Sequence, residues 1–98
     1  MTINKTTDGS TLTLAVEGRL ETITAPALEA VIKNELDGVT ALVLDFAKLD
    51  YISSAGLRVL LAAQKKMKTQ GEMKIVHVND IVNEIFDITG FSEILTIE

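Results

Sequence analysis

After the turn signal Asp8-Gly9, the apolar residues Leu12, Leu14 and Val16 alternate with Thr11, Thr13, Ala15 and Glu17. Side chains that alternate with period two stand on opposite faces of a strand, here one buried and one wet. Two strands joined by Asp-Gly make a hairpin. The much more polar segment from Thr2 to Thr7 is therefore expected to be an edge strand, with Gly18 ending the hairpin. The period then changes. Leu28, Val31, Ile32 and Leu36 recur at helical spacing, with Thr24 as the expected cap, Pro26 in the first turn and Asp37-Gly38 as the stop. Ala41-Leu42-Val43-Leu44 is apolar without alternation, as in a central strand covered on both faces.

Phe46 to Asp50 reads as a short loop, Tyr51-Ile52 leads into Ser53-Ser54-Ala55-Gly56, and a second helix is expected to run to about Gln70-Gly71. Ala55, Leu57, Val59, Leu60, Leu61, Ala62 and Ala63 encircle most of that helix, with Arg58 the lone polar residue among them, so it is either deeply buried or shows one face to a partner. Met73 to Val78 reads as a strand. Asp80 is the expected cap of a third helix carrying Val82, Ile85 and Phe86 and stopped by Gly90, and Ile94 to Ile97 reads as a last short strand. Strands alternating with helices after an opening hairpin predict an α/β fold: a mixed β-sheet with right-handed parallel crossovers and α-helices packed against it.

A chain of 98 residues suits one core, and a single domain over residues 1–98 is expected. The absence of cysteine removes disulfides, thiolate metal sites and thiol catalysis, and makes the cytoplasm the default location. Met1-Thr2-Ile3-Asn4-Lys5 runs into a polar alternating stretch without a signal-peptide core, and the apolar run from Ala55 to Ala63 is too short to cross a bilayer. A net charge of -5 repels phosphate backbones and anionic lipid, so neither nucleic acid nor membrane insertion is expected. Lys65, Lys66 and Lys68 are expected to complement the C-terminal end of a helix dipole.

The only histidine, His77, falls in a predicted strand with no serine or acid spaced as a catalytic set, and reads as structural. The residues around Ser54 do not make the Gly-x-Ser-x-Gly elbow of a hydrolase, no phosphate-binding glycine loop occurs, and the acidic residues lack metal-loop spacing. No catalytic residue, cofactor or metal is expected. What remains is Tyr51-Ile52-Ser53-Ser54-Ala55-Gly56-Leu57, with two hydroxyls at a helix start. Ser53 suits the cap and Ser54 the first helical position, its hydroxyl free. A phosphate on Ser54 would sit at the partially positive end of the helix without harming the fold, but would burden any partner docked there. By spacing alone the pair reads as a cap, and Gly56 as a residue for close packing.

These residues resemble the STAS domain family, and within it the bacterial anti-sigma factor antagonists. The strongest likeness lies in Leu44-Asp45-Phe46 followed by Leu49-Asp50-Tyr51-Ile52-Ser53-Ser54-Ala55-Gly56-Leu57-Arg58-Val59-Leu60-Leu61. Gly18-Arg19-Leu20-Glu21 and Ile85-Phe86-Asp87-Ile88-Thr89-Gly90-Phe91 support it. The resemblance implies a STAS-type sheet and a partner-switching cycle. An unphosphorylated antagonist binds an anti-sigma factor that is also a serine kinase and so frees a sigma factor; phosphorylation reverses this, and a serine phosphatase resets it. The chain would be ligand and substrate, not enzyme. The family pattern Asp-Ser-Ser/Thr-Gly falls on Ser53, Ser54, Ala55 and Gly56, making Ser54 the implied phosphoacceptor. Glu21, Thr22, Ser53, Ser54, Ala55, Gly56, Leu57 and Arg58 become the implied partner-binding residues. Three positions depart from the pattern: Ser53 replaces the acid, Ala55 the following hydroxyl, and Glu21 an aspartate. The alternative is an unphosphorylated STAS subunit of a transporter or stress-signalling assembly; the apolar stripe of Val59, Ala62 and Ala63 would serve either. The free protein is expected to be a monomer or weak dimer.

Overall fold

The computed structural model describes all residues from Met1 to Glu98. Strands β1 (Thr2–Asp8) and β2 (Thr11–Leu20) form the expected hairpin, with Thr2 opposite Glu17 and Asp8 opposite Thr11. Helix α1 (Ala25–Glu35), β3 (Ala41–Asp45), β4 (Leu49–Ile52), α2 (Ser54–Lys68), β5 (Glu72–Val76) and α3 (Asp80–Thr89) follow. The sheet runs β1-β2-β3-β5, with β4 paired in parallel to the far end of β2. It is the mixed α/β sheet that the alternation of elements predicts.

From β2 to β3 and from β3 to β5 the chain steps the same way across the sheet, in parallel each time. Right-handed crossovers then place α1 and α2 on one face. Leu28 and Ile32 of α1, and Leu57, Leu60, Ala63 and Met67 of α2, meet Leu12, Leu14, Leu42, Leu44, Met73 and Ile75 from the strands in one contiguous apolar core. No helix is long and apolar enough to cross a membrane.

β3 is not covered on both faces. Leu42 and Leu44 are buried, whereas Ala41, Val43 and Asp45 are half-exposed on a second sheet face beside Thr11, Thr13 and Ala15. Ala41 and Val43, being small and apolar, conceal the alternation in the sequence. Several boundaries also move. β2 does not end at Gly18: the residue takes φ +98 at a shift of register, and the strand continues through Leu20 to pair with β4. Leu49 and Asp50 belong to β4, not to a loop, because this extension of β2 offers them a pairing edge. Asn79, not Asp80, caps α3, its side-chain oxygen accepting from Val82 N at 2.8 Å. The tail after α3 is a turn of 3-10 helix at Phe91–Glu93 and a single bridge from Ile97 to Ile75, short of a strand.

His77 lies outside β5, at φ +60, with its side chain turned back to β3. Its Nδ1 donates to Asp45 Oδ1 at 2.9 Å, and Ala47 N donates to the same oxygen at 3.0 Å. The hydrogen bond from His77 holds the Asp45 carboxyl below its usual range, against a smaller opposing push from burial and with help from Ala47 N and the His77 charge. A carboxylate whose pKa is depressed by folding stabilises the protein above its unfolded pKa, and that stability is lost as the pH falls through the folded value. Because His77 is well exposed, the pair is worth less than about 1 kcal/mol. Urea unfolding between pH 2 and 6 is expected to show Asp45→Asn losing less stability than the wild type below about pH 4. Parallel acid limbs would show that the contact contributes nothing.

Candidate functional site

β2 and β4 are parallel, so their C-terminal ends lie side by side and both strand-to-helix turns emerge at the same edge. In open α/β sheets such edges are where ligands dock. The turn after β2 carries Glu21 and Thr22; the turn after β4 carries Ser53 and Ser54. Ser53 N donates to Leu20 O at 2.9 Å and joins the two.

The first turn is closed by Thr24. It does not cap α1 with its side chain. Its Oγ1 instead donates to Arg19 O at 2.6 Å and accepts from Glu21 N at 2.9 Å, clipping the loop to the end of β2. The demand for a cap is reduced because Pro26 has no N–H to satisfy and Ala25 N already reaches Glu21 O at 2.7 Å. Glu21 is held as well: Arg19 Nε donates to its Oε2 at 2.8 Å, while the Arg19 guanidinium lies 4.5 Å from the centre of the Tyr51 ring. The longer side chain at position 21 thus reaches back to β2.

The second turn follows the sequence expectation in position but not in bonding. Ser53 occupies the cap site in extended geometry, and its carbonyl accepts the first helical bond from Leu57 N at 2.9 Å. Its Oγ makes no capping bond and is buried without a partner. Ser54 is the first residue of α2 and is exposed. Ala55 is half-buried, Gly56 and Leu57 are buried, and Arg58 is exposed. Gly56 fixes where this turn sits. A Cβ there would come within 2.7 Å of Ile52 Cγ1 and 2.8 Å of Leu20 Cγ, so only glycine lets α2 begin against the ends of β2 and β4.

Thr22, Ala25, Pro26, Glu29, Ala55, Arg58 and Val59 line a surface cleft of about 310 Å³ between the first turns of α1 and α2. The exposed side chain of Ile23, 86% accessible, stands in the loop beside it. The apolar girdle of α2 is mainly core. Val59 and Ala63 are buried and only Ala62 of the expected stripe faces outward, so that stripe is no docking surface. Lys65, Lys66 and Lys68 do lie in the last turn of α2, where they complement its dipole. Pro26 and Glu29 escaped sequence reasoning because the cleft exists only once α1 and α2 pack. Arg19 carried a signal, its place beside Gly18, but its bond to Glu21 depends on the bulge.

The model of the STAS domain family matches residues 2–98. The chain is 39% identical over 88 residues to a candidate anti-sigma factor antagonist, BtrV, of Bordetella bronchiseptica, covering 88% of this chain and 76% of that protein. It is 29% identical over 96 residues to the anti-sigma-B factor antagonist of Listeria monocytogenes, covering 96% and 84%. The crystal structure of an anti-sigma factor antagonist from Mycobacterium paratuberculosis superposes with a TM-score of 0.88 at 25% identity, covering 98% of this chain and 83% of that one.

Proposed function

Because this chain belongs to the STAS domain family, we propose that it is an anti-sigma factor antagonist whose partner is chosen by the state of Ser54. The observation that carries this reading is the exposed Ser54 hydroxyl at the first position of α2, on a turn pinned to β2 through Ser53 and Gly56. Unmodified, Glu21, Thr22, Ser54, Ala55 and Arg58 present a docking surface to an anti-sigma factor, which then releases its sigma factor; Ser53, Gly56 and Leu57, expected among the contacts, turn buried atoms to the fold and hold that surface in place. That anti-sigma factor is also the kinase. It transfers the γ-phosphoryl group of ATP to Ser54 Oγ, ADP leaves, and the hydroxyl proton passes to a base on the kinase.

The phosphoserine adds about -1.5 to -2 charge at a helix start, where free N–H groups and the dipole accept it. The docked surface has no such tolerance, because a charge and three acceptor oxygens would have to be buried against the partner. A serine phosphatase removes the group and resets the cycle. The chain acts by being bound and modified, and it works in the cytoplasm.

Incubation with ATP and the candidate anti-sigma kinase tests the proposal by intact mass and site-mapped peptides, with Ser54→Ala as control. One added phosphate on Ser54, absent in the control, is expected. No phosphate, with a kinase active on another antagonist, would remove the switch and leave the reading of an unphosphorylated assembly subunit.

A further inference from the structure

We infer that a phosphoryl group on Ser54 is held in cis by Arg58, so that phosphorylation withdraws a free cation from the docking surface as well as adding charge to it. This rests on the reading of Ser54 as phosphoacceptor. Ser54 and Arg58 are four residues apart on α2 and both are exposed. Residues at that spacing are neighbours on one helix face. Helical side chains also lean toward the N-terminus, which carries the stem of Arg58 back over the turn that begins with Ser54.

Arg58 is uncommitted. It takes part in none of the four ion pairs of the molecule, although Glu29 lines the same cleft. The other nearby cation, Arg19, is engaged with Glu21 and stacked over Tyr51. Lys65, Lys66 and Lys68 lie in the last turn of α2, two to three turns beyond Arg58. A guanidinium matches two phosphate oxygens at once, so a phosphoserine within reach is a better partner for Arg58 than water. In the unmodified protein the same guanidinium is free to meet an acidic group of the docked partner. The switch therefore has two arms: the phosphate repels, and the arginine that recognised the partner is turned inward.

The test installs phosphoserine at position 54 during translation, without any kinase, and follows its second ionisation by 31P NMR titration in the full chain. The helix N-terminus acts equally on wild type and Arg58→Gln, so a difference between them reports Arg58, while Glu21, Glu29 and Arg19 stay constant. The second pKa is expected to be lower in the wild type than in Arg58→Gln by about half a unit or more, with Arg58→Lys falling between. Thermal melts of the unmodified variants should nearly coincide, since the exposed Arg58 side chain takes part in no ion pair and glutamine keeps most of its stem. Equal phosphate pKa values in wild type and Arg58→Gln would overturn the inference. A kinase that ignores Ser54 would count against the switch itself and leave this titration unchanged.

Discussion

Ser54→Asp is expected to fold as the wild type does and to bind the cognate anti-sigma factor about 100-fold more weakly or worse, while Ser54→Ala binds like the wild type. The first half follows from α2: an acid at its first position meets an uncapped helix start, which favours negative charge by about 0.3–1 kcal/mol. The second half follows from desolvation. A factor of 100 is about 2.7 kcal/mol, slightly less than the roughly 3–5 kcal/mol of a buried charge left without its partner. Calorimetric titration of both variants, with melting curves alongside, separates the two effects. Equal affinity of Ser54→Asp and Ser54→Ala would remove Ser54 from the mechanism, and a large fall in melting temperature for Ser54→Asp would contradict the geometry of the helix start.

The largest loss of stability is expected at the opposite end of the sheet, from Gly71→Ala. A Cβ on Gly71 would fall on the carbonyl oxygen of Thr40, with Thr40 C and Cα at 2.6 and 2.8 Å. Thr40 cannot yield easily. Its oxygen accepts from Glu72 N at 3.0 Å, its N donates to Ser10 O at 2.9 Å, and its hydroxyl is 2.8 Å from Ser10 Oγ. The neighbouring Gln70 binds the same segment, donating to Leu36 O and Val39 O at 2.6 and 2.7 Å. Three loops are locked together there, and parting them is expected to cost about 3 kcal/mol or more, the upper end for overpacked sites. Urea unfolding measures it directly. A cost under 1 kcal/mol would mean that the chain before β5 can shift as a whole.

The architecture was legible where an element carries its own period, two in β2 and close to 3.6 in α1, and where a glycine or proline marks an end. The helix start at Ser54 was legible from the serine pair that precedes the apolar run. What the sequence concealed depends on partners distant in the chain. Gly18 reads as a terminator, but β4 arrives to pair beyond it and β2 continues. Thr24 and Ser53 have the chemistry of caps, yet one hydroxyl finds the end of β2 and the other is buried with nothing to bond. Asn79 and Asp80 both suit a cap, and the choice fell to Asn79, whose amide also donates to Leu49 O on β4 at 2.7 Å. At the candidate site, the serine pair and Gly56 were visible in the motif. The cleft between α1 and α2, and the holding of Glu21 by Arg19, required the assembled fold.

The bulge at Gly18 divides β2 into two ladders of unequal strength. Its first part is flanked by β1 and β3 over most of its length, while its last three residues, Gly18, Arg19 and Leu20, pair with the short β4. Opening the smaller ladder breaks few hydrogen bonds and leaves the larger one shut, so backbone amides near Leu20 and Ile52 should exchange with solvent sooner than those of Leu14 and Leu44. The end of the molecule that carries Ser54 can thus breathe on its own clock, over a foundation that stays still.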